Sequence, residues 1–392
     1  MVRDRVGVST DGPTLRVRAD RSVEYAVHHL ARRAFSAREH VLAELLADRA
    51  VMVVADAEIM RLHGPRLVRY FSRRTHLLYC ATINGDEAAK EWGTVETICR
   101  EALACGLDRN GVLVAVGGGV VLDAVGLAAA LYRRGIRYVR VPTTLVGMID
   151  VAVGIKQAVN FAGAKNLIGA FYPAQAAVVD PRFLRTLDRR HIAGGLAEIV
   201  KIAVVRDREL FELVEAAAPL LVASRFAEPR EAARRIVRRA QTALIAELEP
   251  NLYEEDLRRP ADFGHTFSPA LECASGYALS HGEAVAIDML LSAAIAVELG
   301  RCDPAAFARL HALCETIGLP TTHGVCEPAL LERALVETRR HRGGRLNLVV
   351  PTAIGRADFV QDVPAAALAG ALAAIERAGA AARTVVHAGA GI

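Results

Sequence analysis

The sequence predicts an α/β N-terminal nucleotide-binding domain with a mainly parallel sheet, followed by a mostly α-helical C-terminal domain. Three observations carry this. Short β-branched runs alternate with helix-period segments through the first half of the chain, the pattern of a parallel sheet covered on both faces. A glycine turn, "AVGGGVVLD", joins a strand to a helix. From about Leu184 to about Ala380, long Ala/Leu/Glu/Arg stretches with helical spacing replace the alternation. The 392 residues suit two domains, and we place them at residues 1–185 and 186–392.

Taken in order, "AVMVVADAEIM" (Ala50–Met60) is an apolar strand ending at Asp56, followed by the helix-compatible "RLHGPRLVRYF". "THLLYCATI" is a second strand, and "DEAAKEWGTVETICREALACG" has helical spacing and stops at glycine. "GVLVAVGGGVVLDAVGLAAALYRRG" gives strand, turn and helix, and "IRYVRVPTTL" a further strand. The helical half is interrupted by "PNLYEEDLRRPADFG" and by a short strand pair in "GRLNLVVPTAIGRADFV".

Composition narrows the function. The chain is 53% hydrophobic and 23% charged, with a net charge of +4 and no long Lys/Arg run, so nucleic acid is not an expected partner. No run of about 20 apolar residues occurs and the N-terminus is polar, so neither a membrane span nor a signal peptide is expected, and the expected location is cytoplasmic. Seven cysteines without a CxxC pair read as reduced thiols. Of the 48 Lys and Arg residues, only Lys90, Lys156, Lys165 and Lys201 are lysine. Where arginine serves for generic charge, a retained lysine, with its tunable pKa, is a candidate for chemistry.

Several segments could carry that chemistry. Gly118 and Gly119 let a backbone approach a pyrophosphate at a helix N-terminus, with Asp123 one turn on. A tight strand-to-helix turn with no ligand is the competing reading. Asp56 ends a strand where a carboxylate could accept from a ribose hydroxyl, or be an ordinary loop acid. Thr143 and Thr144 end another strand, and Asp150, Lys156, Asn160, Lys165 and Asn166 follow among apolar and glycine residues, a setting suited to an anionic ligand. Glu198 and Lys201, three apart in "GGLAEIVKIAVV", share a helix face. They form a plain ion pair, or Glu198 joins His265 and His281 in a three-ligand set of the kind that leaves a catalytic Zn²⁺ one open position. Spacing alone also permits both histidines to be helix caps.

The segments "GGGVVLD", "VPTTL", "GIKQAVN", "AKNLIGAFYP", "GLAEIVK", "DFGHTF" and "HGEAVAID" resemble, in order and spacing from roughly Ala50 to Val360, the dehydroquinate-synthase-like sugar phosphate cyclases. The resemblance implies NAD across the glycine turn and a divalent metal, usually Zn²⁺ with Co²⁺ as a substitute, on Glu198, His265 and His281. It puts Glu87 and Lys90 in the nucleotide segment and Lys156, Lys165 and Lys201 at substrate or phosphate positions. Asn166 and Arg258 fall among the substrate-positioning residues. Arg134 matches an arginine that reaches the neighbouring subunit's substrate, implying a homodimer.

Departures from the dehydroquinate synthase pattern indicate the branch. "DFGHTFSP" replaces "NFGHTFGH", placing Asp262 for an asparagine and Pro269 for a phosphate-contacting histidine, and no lysine follows Lys201. Leu248, Asp262 and His341 sit where the 2-epi-5-epi-valiolone synthase branch has a Leu, Asp and His. The activity implied is cyclisation of sedoheptulose 7-phosphate with loss of phosphate, by transient NAD oxidation, elimination, reduction and aldol closure. In that reading Asp262 also repels a substrate carboxylate. A 2-epi-valiolone synthase, a dehydroquinate synthase and a metal-dependent alcohol or glycerol dehydrogenase are the alternatives.

Overall fold

The structure is a computed structural model and describes residues 5–11, 14–20 and 22–389. Two compact units emerge. The first holds the described residues up to Val116, with Val120–Val141 and Ile155–Val179. The second holds Gly117–Gly119, Pro142–Gly154 and the described residues from Asp180 onward.

The first unit is built on a six-stranded sheet in the order Ala26–His29, Ala176–Val179, Arg137–Pro142, Val112–Gly117, Ala50–Asp56, His76–Ile83. Its pairs run parallel. Burial explains the sequence pattern. All six residues of Val112–Gly117 and the five inner residues of Ala50–Asp56 are buried, so these stretches are apolar, whereas in the edge strand His76–Ile83 only Ala81 is buried. Ala26–His29 and Ala176–Val179 escape the sequence reading because four residues carry too little periodicity to mark a strand.

A hairpin stands outside this sheet: Lys156–Phe161 pairs antiparallel with Ala164–Phe171. Its two turn residues, Ala162 (φ 50°) and Gly163 (φ 80°), are both left-handed, as a tight primed hairpin turn requires. The ladder is irregular between Val159 and Phe161. Asn160 thereby escapes the pairing and donates its N–H to Lys90 O at 2.8 Å.

The second unit is mostly helical. Its centre is the His281–Glu298 helix, in which every residue from Ala284 to Ala296 is buried, against the Arg189–Arg206 helix, buried from Ile192 to Val205. The two backbones meet at glycines: a Cβ on Gly282 would lie 2.3 Å from Gly194 Cα. That approach sets the distance between the next turn of one helix, at Glu198, and the first residue of the other, His281. We therefore expect Gly282→Ala to force the helices apart, costing about 1–3 kcal/mol. Metal affinity should fall in parallel, and a variant with native melting temperature and native metal content would contradict this account. The expected strand pair is present as the antiparallel Leu348–Ala353 and Arg356–Val360. Among the described residues no helix is long and apolar enough to cross a membrane.

Candidate active site

In the second unit, Glu198, His265 and His281 come together with one ligand atom from each within 4.8 Å of the others. Three local structures produce this. Glu198 projects from the middle of the Arg189–Arg206 helix, whose start is capped by the Asp188 carboxylate accepting from His191 N. His281 is the first residue of its helix, held by a capping box between Ser280 and Glu283. His265 lies in the turn after Pro260–Asp262, where its N–H donates to Asp262 O at 3.0 Å. Both histidines thus stand at or near helix starts, and neither cap is made by an imidazole.

Each ring is oriented through its far nitrogen. His281 Nδ1 lies 3.0 Å from Glu272 Oε1, and His265 Nδ1 lies 3.3 Å from Phe263 O. This leaves both Nε2 atoms as the candidate donors, the carboxylate- or carbonyl-backed arrangement typical of metal-bound histidine. Asp288 supports the turn carrying His265: its buried carboxylate accepts from Phe267 N and from Ser268 N, with Ser292 Oγ donating at 3.1 Å.

The donor set fits a divalent cation. Glu198 Oε2 pairs with Lys201 Nζ at 2.7 Å, but Glu198 Oε1 is buried with no hydrogen-bond partner. His281 Nε2 approaches that oxygen to 3.2 Å without hydrogen-bond alignment. An unsatisfied buried carboxylate oxygen is costly, and facing two imidazoles it describes an N₂O set with open positions, of the kind that suits catalytic zinc. Electrostatics agree. Burial alone would raise the Glu198 carboxyl, yet Lys201 and the two imidazoles hold it well below the ordinary carboxylate range. Burial, reinforced by Lys201, depresses His265 to about 3, so it is neutral and able to ligate. Burial opposes charge on His281 too, but Glu198 and Glu272 outweigh it and raise the ring to about 9. The carboxylates call for a positive charge at this point, which a bound cation would supply. Lys201 stays charged because Glu198 and Asp150 overcome its burial.

Most of the expected nucleotide residues of the first unit also meet. Lys90 Nζ lies 2.7 Å from both Asp123 Oδ2 and Asn166 Oδ1. Asn160, freed by the hairpin irregularity, donates to Glu87 Oε1 at 2.8 Å and accepts from Asn166 N at 2.9 Å. Lys165 Nζ is 3.9 Å from Glu87. Two of the four lysines are thus side by side in one polar network. Asp56 caps the Ala57–Arg74 helix, accepting from Glu58 N at 2.8 Å. In the second unit, Gly118 is pressed against Thr144, whose Cγ2 would lie 3.0 Å from an added Cβ. Thr143 N donates to Gly117 O at 2.9 Å.

The other expected residues are placed as follows. Lys156 is exposed at the start of the hairpin, and Arg134 is exposed with φ 65°. Leu248 is half-buried at the end of the Arg230–Leu248 helix. Arg258 is exposed with its guanidinium 4.8 Å over the Phe359 ring. His341 is exposed at the end of the Pro328–His341 helix, and it is the next residue, Arg342, that reaches Asp262. Sequence reasoning missed Glu272, Asp288, Arg259 and Arg342. Asp288 alone carried a signal, being a lone acid within "AVAIDMLLSAAIA", where a carboxylate needs partners.

Comparison with known proteins follows the same lines. Residues 80–194 match the 3-dehydroquinate synthase N-terminal family and residues 195–339 the 3-dehydroquinate synthase C-terminal family. A 2-epi-5-epi-valiolone synthase from Streptomyces glaucescens is 45% identical over 351 residues, 88% of this chain and 90% of that protein. A solved structure of 2-epi-5-epi-valiolone synthase from Streptomyces hygroscopicus subsp. jinggangensis 5008, with NAD+ and Zn2+ bound, is 41% identical. It aligns with a TM-score of 0.87 over 92% of this chain and 99% of that one. A 2-epi-valiolone synthase from Actinosynnema mirum is 36% identical over 92% of this chain and 94% of its own length. Matched in both halves of one family and by relatives over most of its length, the chain belongs to the 3-dehydroquinate synthase family of sugar phosphate cyclases.

Proposed function

We propose that this chain cyclises sedoheptulose 7-phosphate to 2-epi-5-epi-valiolone with release of phosphate, as an NAD- and zinc-dependent lyase. The observation that carries the reading is the Glu198–His265–His281 cluster with its orphaned carboxylate oxygen, in a chain 45% identical to a protein of that activity. When bound, NAD supplies a reversible hydride acceptor and Zn²⁺ a Lewis acid for a sugar oxygen.

The chain's own residues bind and orient. Glu198, His265 and His281 would hold the ion. Lys201, held by Glu198, presents a positive charge beside it. Asp262 would accept from a sugar hydroxyl. Lys156, Asn166, Lys201 and Arg258 would position the substrate, the cations among them neutralising its phosphate together with Arg134 of a second copy in a homodimer. His341 and Leu248 would shape the carboxylate-free end. Asp56, Glu87, Lys90, Asp123 and Lys165, with Gly118, Gly119, Thr143, Thr144 and Asp150, would bind the dinucleotide. In this reading residues 1–185 form the NAD-binding domain, which also lends Arg134, Lys156 and Asn166 to the substrate, and 186–392 form the metal- and substrate-binding domain, in a cytoplasmic enzyme of C7-cyclitol and antibiotic biosynthesis.

The test is incubation of the purified protein with sedoheptulose 7-phosphate, NAD and Zn²⁺, with the product identified by NMR. Phosphate should appear without NADH accumulating, because oxidation and reduction close within one cycle. NADH formed in step with substrate loss would make the protein a dehydrogenase, and 2-epi-valiolone as product would move it to the neighbouring branch.

A further inference from the structure

The Arg137–Pro142 strand carries a charge into the interior of the first unit. Arg140 is 1% exposed, and Tyr138, two residues earlier on the same face of the strand, is fully buried. Both reach the base of the hairpin at 156–171. Arg140 Nη2 donates to Tyr138 Oη at 2.6 Å and to Gln157 Oε1 at 2.9 Å. Gln157 Nε2 donates in turn to Ile155 O at 2.9 Å and to Tyr172 O at 2.8 Å. Burial pushes the Tyr138 hydroxyl up despite Arg140, so it keeps its proton and donates to Tyr172 O at 2.9 Å. The Tyr138 and Tyr172 rings stack with centroids 5.9 Å apart, and Tyr172 N donates to Ile155 O at 2.7 Å. Both ends of the hairpin are thus fastened to one buried guanidinium. Gly126 makes room for the clasp. It lies within the Gly119–Leu131 helix, where glycine costs about 1 kcal/mol against alanine, and an added Cβ would lie 2.3 Å from Gln157 Oε1.

We propose that Arg140 and Gln157 are positioning residues for the dinucleotide, holding the base of the hairpin so that Asn160, Lys165 and Asn166 meet Lys90 and Glu87 in one fixed arrangement. Successive side chains of a strand point to opposite faces. Gln157 held inward therefore turns Lys156 outward, and a slip of one residue would exchange the two. The irregularity that frees Asn160 follows in the same strand, between Val159 and Phe161. Asn160 then donates to Glu87 and accepts from Asn166 N, while Asn166 accepts from Lys90. A two-stranded hairpin has little stability of its own, so the aim of these polar groups depends on what holds its base. Arginine suits that task better than lysine, because its planar fork is pre-organised and less side-chain freedom is lost for each bond formed. Buried and mutually bonded, such a network is stiff.

The inference rests on the reading of Glu87, Lys90 and Lys165 as dinucleotide residues, and not on which sugar is cyclised. Two measurements on the full chain test it: amide hydrogen exchange across residues 157–172 without ligand, and calorimetric binding of NAD. In Gln157→Ala, exchange through the hairpin should quicken roughly tenfold and NAD should bind roughly tenfold more weakly, about what one or two buried hydrogen bonds are worth. Zinc content, set by residues of the second unit, should stay native. Gly126→Ala displaces the Gln157 amide and leaves Arg140 and the hairpin sequence intact. It should act in the same direction, and it carries the test should Gln157→Ala not fold. Arg140→Met should weaken NAD to a similar degree, and the Arg140→Met/Gln157→Ala double variant no further than the larger single change, because the two act as one unit. Losses that multiply in the double variant would make them independent structural contacts and overturn the proposal. Quickened exchange with native NAD affinity, in a protein whose NAD binding falls in Lys90→Ala, would overturn the positioning role. Native affinity in Lys90→Ala as well would place the dinucleotide away from this network and remove the proposal together with its premise.

Discussion

His281→Ala should yield a folded protein that retains little zinc and converts sedoheptulose 7-phosphate roughly a thousandfold more slowly than the unaltered chain. Three decades correspond to about 4 kcal/mol of barrier, within what a Lewis-acid metal supplies to a developing alkoxide. The affinity argument is one of ligand count. A site of three protein donors becomes one of two, and losing even an outer hydrogen-bond partner typically weakens metal binding by about 10–100-fold. Folding should survive, because the His281 ring is 46% exposed and the helix start is fixed by Ser280 and Glu283. Zinc per chain and the circular-dichroism melting curve, measured together, separate site loss from unfolding. A folded variant with full zinc content would remove His281 from the ligand set.

How much of this was legible in the sequence depended on how local each cause was. Central strands such as Val112–Gly117 announce themselves because burial on both faces demands an unbroken apolar run. The helix at His281 does so through its continuous apolar composition. The interior strand Ala176–Val179 did not, since its strand state comes from the neighbours it pairs with on both sides and not from its four residues. Within the site, Glu198, His265 and His281 were found because each lies in a distinctive motif. Glu272 stands nine residues before His281 with no helical relation to it. Its role comes from how the Ser268–Ala274 helix is laid beside the next one, a tertiary fact that spacing does not encode. Arg259 and Arg342 were hidden for a different reason. In a chain whose cations are nearly all arginine, two half-buried guanidiniums look like any others. The interleaving of the compact units, with Gly117–Gly119 and Pro142–Gly154 grouped with the helical part, likewise reflects packing against elements far along the chain: Gly195 sits where an added Cβ would meet Leu145 at 2.5 Å.

Asp288→Ala should be among the most destabilising single changes in the second unit, at about 3–5 kcal/mol, and should cost the protein its zinc as well. The carboxylate is fully buried and accepts from Phe267 N and Ser268 N, so alanine leaves at least two buried donors unmade. At about 1–3 kcal/mol for each orphaned group, the loss is a large share of a typical folding free energy of about 5–15 kcal/mol. The same turn carries His265, so the ligand should loosen with it. Asp288→Asn keeps an acceptor for those donors and isolates the effect of charge. Burial raises Asp288 from 3.8 to about 6, against the backbone donors that favour its ionised form. A group whose pKa is raised by folding contributes stability that is fully present below its unfolded value and is lost as pH climbs through the folded one. Between pH 4 and pH 7 the unaltered chain should therefore lose stability relative to Asp288→Asn, by on the order of 3 kcal/mol for a shift of about two units. Above pH 7 the difference should stay level. Urea unfolding of both proteins across that range measures it directly. A difference that does not change between pH 4 and pH 7 would mean that Asp288 titrates in the fold as it does in water, with its backbone donors fully offsetting the cost of burial.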